Sequence, residues 1–231
     1  MVEIGIAGAM GAGKTTLANL LVEQHSYHRL SFADPIRYLT QLLVGRAIDK
    51  KHDRPTLQRV GRAGRSPEWA GIDTPLPSAR EARTRALAEF IFPEADEARI
   101  EALHRALYEE GYSYGWGHPD YWIQRWQRDY SRATHPVALD DCRFPSEGEF
   151  LRRSGFFMVR LDVPLPERQR RIIGRDGHWD PKWTNDPTEI HVNEIPVHLA
   201  LDGTASPEAL AETVYQEALT WLASTRKHPV K

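Results

Sequence analysis

The sequence predicts an α/β protein: a parallel five-stranded sheet with helices on both faces, interrupted by an all-helical insertion. Three observations predict it. Short apolar runs alternate with helical patterns at both ends of the chain, the order that builds parallel sheets covered on both sides. Between about residues 49 and 134 no strand pattern occurs, and the segment is rich in Arg, Glu and Ala. A glycine-rich turn, Gly8 to Gly13, follows the first apolar run directly.

The elements follow in order. Val2–Ala7 is a short apolar run stopped by Gly8, which reads as a buried strand. From Lys14 to about His25, Leu17, Leu20 and Leu21 fall at helical spacing. Tyr27–Phe32 reads as a second strand. Asp34-Pro35 then starts a helix, with Asp34 as cap, Pro35 at the first helical position, and Ile36, Leu39, Leu42 and Leu43 as its apolar face. Helices are predicted over Thr56–Arg65, Ser78–Phe90, Glu94–Glu110 and Tyr121–Tyr130, the last burying Trp122, Ile123 and Trp126. Pro67–Pro77 and Gly111–Pro119 are turn-rich connections. Strand character returns at Pro136–Leu139, ending in Asp140-Asp141, and again at Phe156–Val163 and Val197–Leu201. Helices are expected near Ser146–Arg153, over Pro166–Arg175, and from Ser206-Pro207, where Ser206 caps. Leu210, Val214, Ala218, Trp221 and Leu222 form the buried face of that last helix. His178–Asn193 reads as a loop and Arg226–Lys231 as a frayed tail. The domain reading is a core of residues 1–48 and 134–226, with a lid at about 164–195, and a substrate-binding helical insertion at 49–133.

Bulk properties exclude several classes. With 30 basic and 32 acidic residues in 231, the net charge is −2, so nothing global attracts nucleic acid. A single cysteine, Cys142, excludes an internal disulfide. No run of about 18 apolar residues occurs, so no membrane span is expected. The N-terminus lacks a basic region before its apolar run, unlike a signal peptide. The expected location is cytoplasmic.

The sharpest signal is Gly8-Ala9-Met10-Gly11-Ala12-Gly13-Lys14-Thr15, followed by Thr16. It fits G-x-x-x-x-G-K-[ST] without a mismatch, after a strand and before a helix. Glycines let the backbone curl so that its N–H groups point at phosphate oxygens. The helix adds the positive end of its dipole. Lys14 is expected to reach the β- and γ-phosphates of ATP, and the Thr15 hydroxyl to ligate Mg²⁺. The motif alone does not separate kinase from hydrolase.

Asp140 and Asp141 end a strand beside this loop. A carboxylate there can hold Mg²⁺ or accept a proton, and Arg143 can neutralise a phosphoryl oxygen. The blander alternative is that Asp141 caps the next helix or pairs with Arg143.

At this point the sequence resembles a family. Phe32-Ala33-Asp34-Pro35-Ile36-Arg37 looks like the Phe-Ala-Asp-Pro-Leu-Lys segment of phage-type deoxynucleoside monophosphate kinases. Asp141-Cys142-Arg143-Phe144-Pro145-Ser146-Glu147 looks like their Asp-Val-Arg-Phe-Pro-Asn-Glu. Leu57-Gln58-Arg59-Val60-Gly61, then Arg65, is similar to their Leu-Gln-x-x-Gly…Arg stretch, and Leu201-Asp202-Gly203-Thr204 before a helix also fits. The resemblance implies a P-loop kinase fold and transfer of the ATP γ-phosphoryl group to a deoxynucleoside monophosphate. It places Asp34, Arg37, Arg65, Asp141 and Arg143 near the acceptor. The spacing from Gly61 to Arg65 is one residue shorter than the family's, so Arg62 is carried beside Arg65. Residues 66–118 match nothing in the pattern. The family also suggests a viral origin, with the host cytoplasm as location, and allows a homodimer.

Arg168, Arg171 and Arg175 share one helix face. Such lid arginines in nucleoside monophosphate kinases close over the phosphates, and Arg171 and Arg175 are the expected pair; a solvated basic face is the commoner fate of such runs. His191-Val192-Asn193-Glu194 is similar to a His-x-Ser-Glu stretch of the family and is expected to fix the loop by hydrogen bonds. The aromatics from Tyr112 to Trp126 read as packing between helices, with base stacking as the alternative; Phe32 is a second candidate platform. Two other functions remain open at this level: a P-loop kinase acting on a modified base in DNA or another hydroxyl acceptor, and a nucleotide-dependent switch or assembly ATPase.

Overall fold

The computed structural model describes residues 2–49 and 52–227, with the main chain alone at 187, 188, 226 and 227. The chain forms two compact units, Met1–Ser31 with Arg132–Lys231, and Phe32–Ser131.

The first unit is a five-stranded sheet: β1 (Ile4–Gly8), β2 (His28–Leu30), β3 (Val137–Cys142), β4 (Phe157–Asp162) and β5 (Leu199–Asp202). Their order is β2-β3-β1-β4-β5, and every pairing is parallel. Central β1 is buried throughout, as its unbroken apolar sequence requires in a sheet covered on both faces. Ile4 and Ile6 pack with Leu17 and Leu21 of α1 (Lys14–His25) and with Leu210, Val214 and Ala218 of α10 (Pro207–Lys227). Between them Gly5 faces the other way, toward Met158 and Leu151, the latter on α7 (Pro145–Arg153). The alternation of a strand thus supplies both covered faces. Helix α8 (Leu165–Asp176) follows β4.

The second unit contains α2 (Asp34–Val44), α3 (Arg54–Arg65), α4 (Pro77–Ile91), α5 (Glu97–Tyr108) and α6 (Tyr121–Tyr130). No strand occurs among its described residues. Its core gathers Leu39, Leu43, Val60, Leu87, Leu103 and Trp122. The Trp122 indole N–H donates to the Gly61 carbonyl at 2.8 Å.

Several local expectations change. Strand β2 is shorter than Tyr27–Phe32, because Tyr27 turns inward and its hydroxyl donates to the Val2 carbonyl at 2.8 Å. Ala33, not Asp34, is the N-cap of α2; Asp34 is its first residue and pairs with Arg37 one turn on. Asp140 and Asp141 lie inside β3 rather than beyond it. The expected loop over 178–193 coils into two 3₁₀ turns, Pro181–Asn185 and His191–Glu194, around a short helix α9 (Pro187–Ile190). Helix α10 runs through Lys227, and the rest of the expected tail lies outside the described residues. Ser206 caps that helix as expected, accepting from the Ala209 N–H.

Candidate active site

The glycine-rich loop joins β1 to α1. Gly8, Gly11 and Gly13 take φ of +147°, +82° and +96°, which only glycine adopts without strain. At Gly11 a side chain would also meet the Arg168 carbonyl at 3.0 Å. Ala12 is buried, which seats the loop on the core.

Lys14 is 8 % exposed. Its ammonium donates to the Gly8 and Ala9 carbonyls at 2.6 and 3.0 Å, so it folds back along its own loop. Its pKa is held down to about 8, chiefly by burial and then by the Arg143 guanidinium, against the opposing charges of Glu189, Asp141 and Asp140. Thr15 donates its hydroxyl to Asp140 Oδ2 at 2.7 Å. Asp140 is 3 % exposed, and its Oδ1 is buried without a hydrogen-bond partner. The Arg29 Nε lies 3.8 Å from the same carboxylate. Asp141 accepts from the Ser31 hydroxyl. Thr16 is exposed at the start of α1.

The chemistry of this set fits magnesium. A buried orphan oxygen has a desolvation cost that a cation relieves. Mg²⁺ takes few protein ligands and fills the rest with water and phosphate, so Thr15 and Asp140 suffice.

After β3 the turn is fixed by Glu147, whose carboxylate accepts from the N–H groups of Arg143 and Phe144 at 2.8 and 3.1 Å. The main chain at half-buried Arg143 is thereby fixed, and its guanidinium charge is near enough to depress the pKa of Lys14.

The arginines of α8 separate into three situations. Arg168 Nη1 donates to the Met10 carbonyl at 3.3 Å and to Glu189 Oε2 at 3.1 Å. Arg171 is a strut: it pairs with Glu167 at 2.8 Å and donates to the Gly203 carbonyl at 2.9 Å. It also lies 3.5 and 3.4 Å from the Gly11 and Ala12 carbonyls. Arg175 pairs with neighbouring Asp176 and faces solvent. The loop thus meets Arg168 and Arg171, whereas the sequence reading favoured Arg171 and Arg175. Spacing put all three on one face, and only contact distinguishes them. Glu189 was missed outright; it reaches the loop from 179 residues away. His191 Nδ1 and Glu194 lie 3.2 Å apart, the loop-fixing contact expected of them.

In the second unit, Asp34 and Arg37 form an ion pair on the first turn of α2. Arg65 donates to the Gly61 carbonyl at 3.4 Å, and Arg62 is exposed on α3. Phe32 is buried, edge-on to Trp126 at 5.2 Å between ring centroids. Most of the aromatics from 112 to 126 are buried core; Tyr114 is exposed.

Sheet order, glycine loop, lysine and hydroxyl define a class: a P-loop protein of the kinase fold. No family model matches the chain. A relative does bear out the resemblance read from the sequence. The chain is 24% identical, over 197 residues and 84% of each partner, to a protein of Acanthamoeba polyphaga mimivirus named "Putative deoxynucleotide monophosphate kinase". Among solved structures it is similar to TT1252 from Thermus thermophilus, at 21% identity and TM-score 0.49, covering 96% and 97% of the two chains. It is also similar to shikimate kinase from Aquifex aeolicus, at 13% identity and TM-score 0.47, covering 96% and 98%. No helix among the described residues is long and apolar enough to cross a membrane.

Proposed function

We propose that this chain is a deoxynucleoside monophosphate kinase, moving the γ-phosphoryl group of ATP to a deoxynucleoside monophosphate to give the diphosphate and ADP. The observation that carries it is the loop Gly8–Thr15 with Lys14 buried inside it and Asp140 presenting an orphan oxygen beside Thr15. The mimivirus relative and the acceptor-type segments at Phe32–Arg37 and Asp141–Glu147 support the choice of acceptor.

The loop N–H groups and Lys14 hold the donor phosphates. Thr15 and Asp140, with Asp141 as a further carboxylate of the same strand, would hold Mg²⁺, which would supply neutralising charge to the donor phosphates. An oxygen of the acceptor phosphate attacks the γ-phosphorus, and the bond from that phosphorus to the β–γ bridging oxygen breaks, releasing ADP. A phosphate monoester is largely a dianion at neutral pH, so the attack needs alignment more than a base. Arg143 and the two α8 arginines that meet the loop, Arg168 and Arg171, neutralise the equatorial oxygens. Phe32, Asp34, Arg37, Arg62 and Arg65 recognise the acceptor nucleotide.

The test is coupled ADP release with ATP–Mg²⁺ and each deoxynucleoside monophosphate in turn. At least one should stimulate turnover strongly, and Lys14→Ala should lower that turnover by about 10²–10³-fold. Hydrolysis indifferent to every monophosphate would sink this proposal and leave the hydroxyl-acceptor and switch readings.

A further inference from the structure

One carboxylate from a distant segment is bonded to the glycine-rich loop itself. The Met10 N–H lies in the middle of the glycine-rich loop, and Glu189 receives it between both oxygens, at 3.0 and 2.9 Å. Arg168 grips the same carboxylate at 3.1 Å. The Glu189 side chain is only 7 % exposed. A carboxylate is costly to bury unless it is paired and hydrogen-bonded, and here its partners are the donors an incoming phosphate would use. One N–H cannot serve two anions at once, so Glu189 and a phosphate exclude each other.

We propose that Glu189 is an internal phosphate surrogate: it plugs the nucleotide-free loop, and nucleotide phosphates displace it and inherit both the Met10 amide and Arg168. The inference rests on the nucleotide-binding reading of the loop and adds a competitor and a phosphate ligand to it.

The surroundings suit a side chain that comes and goes. Glu189 rides on α9, a single turn between two 3₁₀ turns, so few main-chain hydrogen bonds resist a local shift. Ile190 beside it is exposed. Buried Val192 and Ile195 anchor the segment just beyond, and Ile195 packs against Gly148 of α7. A cavity of about 790 Å³, bordered by Glu189, Arg168, Gly8 and Arg160, gives the carboxylate room to leave without moving core residues. Arg168 is poised for the exchange: its Nε is buried without a partner, and loss of Glu189 would leave its charge beside the loop uncompensated.

A plug lowers apparent affinity by the fraction of molecules it leaves open. The experiment measures ATP and ADP binding by calorimetry for the full chain, Glu189→Gln and Glu189→Asp, with thermal unfolding to confirm folding. The amide removes the charge, and aspartate keeps it but is one methylene too short. Both should bind about tenfold tighter than the unsubstituted protein. In ligand-free protein, the Met10 amide resonance should shift in both variants. Adding Arg168→Gln to the Glu189→Gln background should weaken binding by about tenfold, because the competitor is already gone. Tightening by both variants with the Met10 shift supports the plug, and weakening by the added Arg168 change supports the handover. Normal binding in the unsubstituted protein with no tightening in either variant overturns this proposal alone. Absence of binding in every protein overturns the nucleotide reading with it. Unchanged affinity on adding Arg168→Gln overturns the handover to Arg168.

Discussion

The two units bury different kinds of material. In the first, the loop end of the sheet encloses charge: Lys14, Asp140 and Asp141 are all buried, and one oxygen of Asp140 has no partner. In the second, the core is aromatic and aliphatic, and Trp122 finds its acceptor in Gly61. Buried charge with unmet demand is expensive to maintain and is found where a ligand completes it. The apolar core of the second unit serves stability, although the indole N–H groups of Trp69 and Trp116 are also buried without a hydrogen-bond partner. Substitutions in the two units should therefore fail in different measurements.

The largest contrast is between Lys14→Ala and Trp122→Ala. The lysine variant should keep its fold, since it removes a buried charge, while losing phosphoryl transfer. Trp122 is fully buried, and truncating it opens a cavity and removes one of the donors to the Gly61 carbonyl. A loss of about 3–5 kcal/mol is expected from the cavity and lost contacts, read as a lower denaturant midpoint. If Trp122→Ala left stability untouched while Lys14→Ala unfolded the chain, the division of labour between the units would be reversed.

A finer contrast uses two helical glycines. At Gly64 in α3 an added Cβ would come within 2.5 Å of Trp122 Cζ2 and 2.8 Å of Tyr121 Cδ1, both in rigid, buried rings. Gly64→Ala should destabilise by about 1–3 kcal/mol despite the better helix propensity of alanine. At Gly174 in α8 nothing lies within 4 Å, so Gly174→Ala should stabilise by about 0.5–1 kcal/mol. Thermal melts of the pair read opposite signs. Two shifts of the same sign would mean that local propensity outweighs packing in one unit.

The same contrast decides what the sequence disclosed. Sheet and loop were legible because their signals are local: an apolar run, a fixed glycine spacing, a lysine and a hydroxyl at the helix start. Helix α6 matched its expected bounds because three large apolar residues share one face. Cap identity at α2 was not legible, because an aspartate beside a proline suits either the cap or the first turn, and the Arg37 pairing favoured the latter. Glu189 was not legible at all. Nothing near it in sequence marks a ligand, and only the return of α9 to the loop brings it to Met10.

The smallest predicted effect lies at the sheet edge, away from the loop. His198 accepts the Met158 N–H through Nδ1 at 2.9 Å, which requires that nitrogen unprotonated. Its ring stacks on Phe157 and leans on Trp221. Partial burial, then the Arg152 charge, lowers its pKa from 6.5. The folded state thus prefers the neutral ring more than the unfolded chain does. Its contribution is complete above pH 6.5 and is lost as pH falls through the depressed folded value. Because the residue is exposed, solvent screening keeps the effect small. Melting temperatures from pH 8 to pH 5 should fall more steeply for the natural protein than for His198→Phe, which keeps the stacking and cannot titrate. Parallel slopes would show that the β4–β5 edge tolerates the charged ring.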